Sequence, residues 1–296
     1  MGQSRIEWTE QSWTVVVGCE PVSAGCAKCY MASMAARLER MGVEKYSGLS
    51  ELREGRAILT GTVRFWQPSL LDPLRQKKPA RWFLSSMGDI GHATITDDEL
   101  DQLFAVMSRG AQHEFYVLSK RVDRIARYLR GEARADTIKA NALRLPGEPG
   151  SGFPWPLPNV LIGTSVENQV NADLRHAGMA CLARGGWRTM VSYEPALGPV
   201  DWSGWEFLSW LISGGETDHM HRRARPHHPA WHLASRGWAE SPPAFPTHSS
   251  SMATGHRWTP SRQSICRQGR RSSALMLLPV RPMPLSTFAR GKKAIS

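Results

Sequence analysis

Apolar residues fall into two rhythms along the chain. In one they form short runs bounded by polar or turn residues: Arg81-Trp82-Phe83-Leu84-Ser85, Glu114-Phe115-Tyr116-Val117-Leu118 and Asn159-Val160-Leu161-Ile162-Gly163. Runs of that length, rich in aromatic and β-branched residues, predict buried strands. Residues 13–17, 188–192 and 207–213 carry the same pattern. In the other rhythm apolar residues recur every three or four positions, which predicts helices. Residues 97–109 read this way, with Thr96 as cap and Leu100, Leu103, Phe104 and Met107 on one face. So do residues 122–130 and a stretch around 172–183. Beyond Cys26, the spacing of Met31, Met34, Leu38 and Met41 predicts a helix with a core-packing face. Pro68, Pro73 and Pro79 interrupt residues 42–80, and the Pro- and Gly-rich residues 145–158 read as a loop.

Strands and helices therefore alternate. That order predicts an α/β fold with a parallel sheet and right-handed crossovers. Six βα units suit a partial TIM-type (β/α)6 barrel; a doubly wound open sheet is the alternative that periodicity does not separate from it. The expected domain spans residues 1–240, followed by a disordered basic tail over residues 241–296.

Charge changes the picture only in that tail. The net charge is +11, but residues 241–296 hold nine Lys and Arg and no Asp or Glu. Subtracting those nine leaves +2 for residues 1–240, so the body lacks the basic surplus of a general nucleic-acid binder. No apolar run reaches the ~18 residues of a membrane helix. The N-terminal residues lack the apolar core of a signal peptide. A cytoplasmic protein with no membrane partner is expected.

The chemistry concentrates in Gly18-Cys19-Glu20-Pro21-Val22-Ser23-Ala24-Gly25-Cys26-Ala27-Lys28-Cys29-Tyr30, with the spacing C-x6-C-x2-C. An odd number of close thiols without a secretory signal points to metal before disulfide. Thiolates select zinc or iron–sulfur clusters. Three of them leave one position open on a tetrahedral zinc, or one uncapped iron on a four-iron cluster. Loop cysteines without a special role are the plain alternative. Cys181, on an apolar helical face, reads as a buried structural thiol. His92 reads as a solvated loop histidine, with a fourth zinc ligand as the alternative.

Each strand ends in a polar cluster: Ser85-Ser86-Met87-Gly88-Asp89, Ser119-Lys120-Arg121, Thr164-Ser165-Val166-Glu167-Asn168, Ser192-Tyr193-Glu194-Pro195 and Ser213-Gly214-Gly215-Glu216. In parallel α/β folds the carboxyl ends of the strands line the ligand crevice. Asp89, Lys120, Glu167, Glu194 and Glu216 should therefore converge on the face that carries the cysteines. The competing reading is that these residues cap the helices that follow. Gly214 and Gly215 would let the backbone approach a ligand closely.

Together with Ile6-Glu7-Trp8-Thr9, Leu118-Ser119-Lys120-Arg121, Glu194-Pro195 and Gly198-Pro199-Val200-Asp201, these motifs resemble the phage gene-product 37/68 family over about residues 4–240. Its members, also called three-cysteine-motif proteins, occur in phages and bacteria and form a domain of unknown function. Their cysteine loop and barrel-like pattern are similar to radical S-adenosylmethionine enzymes. Two departures stand out. The first cysteine interval is six residues where the radical enzymes use three, and Ile90-Gly91-His92 replaces the family's Leu-Phe-His. The resemblance implies a 4Fe-4S cluster on Cys19, Cys26 and Cys29, with S-adenosylmethionine as cofactor. It implies catalytic roles for Lys120, Glu167 and Glu194, and cofactor binding by Asp89, Ser165, Asn168, Gly214, Gly215 and Glu216. The alternative is a zinc-dependent nucleic-acid-processing or nucleic-acid-binding protein in phage defence or counter-defence. The substrate is unknown; nucleic acid and a protein encoded nearby are candidate partners.

The tail supports two readings. One is a genuine basic, disordered nucleic-acid tail. The other is out-of-frame translation of GC-rich DNA. With suitable codons, a two-base shift across residues 241–259 spells Lys-Gln-Tyr-Gly-Asn-Trp. That closely resembles the family's C-terminal Lys-Gln-Trp-Gly-Glu-Trp segment. A frameshift would remove a core strand and leave an unpaired sheet edge.

Overall fold

The computed structural model describes residues 6–131, 133–147, 152–217 and 223–241, with the backbone of Gly2–Gln3 and Met276–Pro279. Six strands run parallel: β1 Gln11–Trp13, β2 Arg81–Leu84, β3 Glu114–Leu118, β4 Val160–Ser165, β5 Arg188–Tyr193 and β6 Trp210–Ser213. They lie side by side in sequence order. A doubly wound sheet needs a point where that order reverses. None exists here, so that alternative falls away. The fold is mixed α/β on a six-stranded parallel sheet.

Neighbouring strands joined in sequence order by right-handed crossovers keep their helices on one face. The packing agrees. One large buried cluster joins Phe115, Val117, Val160, Ile162, Val191 and Leu211 of the sheet to Leu100, Leu103, Phe104 and Met107 of α2 Asp97–Arg109. It also takes in residues of α3 Val122–Leu129, α4 Arg134–Arg144, α5 Gln169–Arg184 and α6 Pro229–Glu240. The alternate residues Tyr116, Leu161, Met190 and Ile212 face the other way and pack with Trp8 into a separate cluster. Strand side chains alternate with period two. Continued past the strand ends, that inner row reaches Lys120, Glu167, Glu194, Gly214 and Glu216. Period two thus places the sequence-predicted site on one face of one end of the sheet. The cysteine loop and α1 Met31–Arg40 close that end over a third cluster of Val17, Met31, Ala35, Tyr46, Leu49 and Met87.

Several expectations are corrected. The run at 13–17 is not one strand. β1 ends at Trp13, and Val16–Val17 pairs instead with Arg64–Phe65, because Ser85 takes the next ladder position with its amide on the Trp13 carbonyl. Residues 42–80 hold a hairpin, Ser50–Arg53 with Arg56–Leu59, turning through Glu54 and Gly55 at φ 48° and 74°. Met41 follows α1 and is 65% exposed, so it does not share the core face of Met31. His92 is buried rather than solvated, held by Thr94 and Glu20. Trp13 belongs to the helix-side core and donates to the Ser69 carbonyl at 2.8 Å. Helices α4 and α6 lie where no helix was expected. The sheet edge beside β6 is covered by Met276–Pro279 in antiparallel pairing. The apolar Met-Leu-Leu stretch of the tail thereby occupies the position expected to stay open. Residues 242–275 and 280–296, where a disordered tail is expected, lie outside the described residues. No described helix is long and apolar enough to cross a membrane.

Candidate metal and cofactor site

The cysteine loop enters through Gly18, whose φ is 93° and whose amide donates to the Met87 carbonyl at 2.9 Å. A Cβ there would stand 2.0 Å from the Thr62 carbonyl oxygen, so only glycine fits. A short 3-10 turn, Ala24–Lys28, then carries Cys26 and delivers Cys29 to the start of α1.

Three ion-pair systems from four strand ends hold this loop. In the first, Lys120 beyond β3 pairs with Glu167 beyond β4. Ser23 donates to the same carboxylate oxygen at 2.6 Å, and Arg175 of α5 binds the other oxygen at 2.8 Å. Lys120 also reaches Ser23 Oγ at 3.0 Å and Cys26 Sγ at 3.5 Å. Glu167 is fully buried. Burial opposes its charge, yet Lys120 and Arg175 outweigh burial and hold its carboxyl below the ordinary value. Gly25 presses on this group: a Cβ there would lie 2.6 Å from Glu167 Oε1.

In the second system Asp89 accepts from Ser119 Oγ at 2.6 Å and Arg121 Nη1 at 2.9 Å. Arg121 in turn approaches Cys19 Sγ at 3.7 Å and the Glu20 carbonyl at 3.3 Å. In the third, Glu216 takes Arg225 through Nε at 3.0 Å and Nη2 at 2.5 Å, with Lys28 at 3.9 Å. Arg225 Nη1 donates to the Ala24 carbonyl at 2.9 Å. Asp89, Lys120, Glu167 and Glu216 therefore converge on the cysteine loop, and each spends its charge on holding it.

Cys19, Cys26 and Cys29 are free, partly buried thiols. Burial pushes Cys19 up to about 11, with Asp89 adding to the rise and Arg121 offsetting part of it. Burial also raises Cys29. At Cys26 burial again opposes ionisation, but Lys120, the Val22 amide and Ser23 prevail and hold the thiol below its ordinary value. Among the described residues no three His, Cys, Asp or Glu side chains gather closely enough to hold a single metal ion. The three sulfurs were expected to share one site and do not meet at one point. A mononuclear zinc needs ligands converging at about 2.3 Å from one centre. Cysteines of a four-iron cluster each cap a separate iron and stand farther apart. Three thiols in one loop are the ligand type that a cluster or a zinc takes.

A family model described as "Protein of unknown function (DUF5131)" matches residues 3–242. The chain belongs to that family. No curated protein and no solved structure matches the chain.

The remaining expected residues of this DUF5131 protein divide. Glu194 sits beyond β5 on the inner face, with Ser192 Oγ at 3.0 Å and Gly214 against it. Ser165 gives its carbonyl to Arg175. Asn168 caps α5, accepting from the Asn171 amide at 3.1 Å, so the capping alternative holds at this position. Gly215 makes room for His227, not for open space: a Cβ would meet His227 Nδ1 at 2.3 Å. Cys181 is only half-buried, packed at the margin of the helix-side core. A cleft of about 380 Å³ opens elsewhere, between α2, α4 and Gln67 to Arg75, and contains no expected site residue.

The sequence reading missed Ser23, Arg175 and Arg225 and gave Arg121 no role. Arg121 is next to Lys120, and period two assigns adjacent residues to opposite faces, so its turn toward Asp89 and Cys19 was not readable. Arg175 lies eight residues beyond Glu167 on a helix face that otherwise reads as apolar, and only folding shows it turned back toward the sheet.

Proposed function

We propose that this DUF5131 protein carries a 4Fe-4S cluster on Cys19, Cys26 and Cys29 and uses it on S-adenosylmethionine, as a radical S-adenosylmethionine-like enzyme of phage or prophage origin built on a partial barrel. The observation that carries the reading is the pair of cation-to-sulfur contacts, Lys120 Nζ to Cys26 at 3.5 Å and Arg121 Nη1 to Cys19 at 3.7 Å. N–H donors aimed at cysteine sulfur stabilise thiolate charge and tune the potential of a bound cluster. When bound, such a cluster supplies one electron and an open iron position for an amino-acid chelate.

The chain's own residues do the rest. Glu167, held between Lys120 and Arg175, fixes Ser23 and Gly25 and so the height of Cys26 over the sheet end. Asp89 fixes Arg121 beside Cys19. Lys120, Glu167 and Asp89 act as positioning residues, and Glu194 is the acidic group left facing the site. Anaerobically reconstituted, dithionite-reduced protein should convert S-adenosylmethionine to an adenosyl product seen by mass spectrometry. Absence of that product from a protein with a full cluster would reject the activity.

A further inference from the structure

Of the four carboxylates beyond the parallel strands, three are neutralised inside the protein: Asp89 by Arg121, Glu167 by Lys120 and Arg175, and Glu216 by Arg225 and Lys28. Glu194 is the exception. Among the described residues its hydrogen-bond partner is the Ser192 hydroxyl, and Glu7, of like sign, acts on it. A part-buried carboxylate without a cation is relieved either by a proton, and burial does push Glu194 above its ordinary value, or by a cation brought from outside.

The surroundings are polar. Ser192 and Ser165 are register neighbours on the inner face. Their hydroxyls stand toward the strand ends from an aromatic floor in which Trp8 packs on Phe83, Tyr116 and Trp210. Gly214 keeps the wall beside the carboxylate free of side chain. A Cβ there would lie 2.6 Å from Glu194 Oε1.

We infer that Glu194 receives the positively charged group, an ammonium or guanidinium, of this site's ligand. The serine hydroxyls on the same face supply the neutral polar contacts beside it. The inference rests on the reading of this strand end as a ligand site, but not on the identity of the metal.

The test titrates the full chain, by ligand-observed NMR, with putrescine and agmatine as cations. Butane-1,4-diol serves as the neutral match and succinate as the anionic one. The cations should saturate the protein and the diol and succinate should not. Glu194→Gln should weaken cation binding by about tenfold or more, the scale of one charge-assisted hydrogen bond. Gly214→Ala, which displaces the carboxylate while keeping its charge, should do the same. Equal binding of the diol or succinate, unchanged binding by Glu194→Gln, or no saturation by either cation below ~50 mM, well above ordinary ligand affinities, would each overturn the inference. Iron content measured on the same samples keeps the two claims apart. Cation binding lost without loss of iron touches only Glu194, and iron absent while cation binding persists touches only the cluster.

Discussion

Replacing Glu167 by Gln removes the buried charge on which the cysteine loop is seated. The side chain is fully buried, its partner Arg175 is 6% exposed, and Lys120 is 20% exposed. Breaking a buried pair costs about 3–5 kcal/mol, because the surviving charge stays desolvated. Lys120 can turn toward water and Arg175 cannot, so the lower end applies, about 3 kcal/mol. For a domain of this size each kcal/mol moves the melting temperature by about 2–4 °C, giving a drop of about 6–12 °C. Differential scanning calorimetry of wild type and Glu167→Gln reads it directly. Glu167 has a folded pKa below its free value of 4.5. Its contribution is therefore fully present above about pH 4.5 and is lost as pH falls through the folded value. The gap between wild type and variant should close in acid. Adding Arg175→Met to Glu167→Gln should cost less than the sum of the two single changes. A drop under about 2 °C, equivalent to less than 1 kcal/mol, or a gap that does not narrow as pH falls below the free value of 4.5, would refute the seating argument.

Three further outcomes are expected. Cys19→Ala, Cys26→Ala and Cys29→Ala should each abolish metal loading while Cys181→Ala leaves it intact; equal loss from all four would indicate a folding effect instead of ligation. Gly25→Ala, whose Cβ would sit 2.6 Å from Glu167 Oε1, should destabilise by about 1–3 kcal/mol in denaturant melts, and an unchanged midpoint would show that the loop gives way freely. Sequencing the coding DNA across residues 241–259 should spell Lys-Gln-Tyr-Gly-Asn-Trp in the alternative frame; any other reading makes the basic tail genuine.

How much of this was legible in the sequence follows from which forces are local. The helix at Asp97–Arg109 was readable to its cap, because Thr96 and Glu99 form a capping box whose bonds span three residues. That Lys120, Glu167, Glu194 and Glu216 share one face of the strand ends was readable because strand period is local. What those groups do was not readable. That Glu167 is spent on Lys120, Ser23 and Arg175 depends on contacts between residues up to 144 positions apart. The run at 13–17 misled because β-branched residues mark extended backbone without saying which sheet it joins. The hairpin at Ser50–Leu59 was missed because Glu54-Gly55 is a weaker turn signal than Asn-Gly or Asp-Gly.

The central claim is the cluster. The direct measurement is iron, acid-labile sulfide and zinc per chain after anaerobic reconstitution with iron and sulfide, alongside the visible spectrum. About four irons and four sulfides, with a brown protein absorbing near ~400 nm, is the predicted result. A colourless protein holding one zinc and no iron would contradict it.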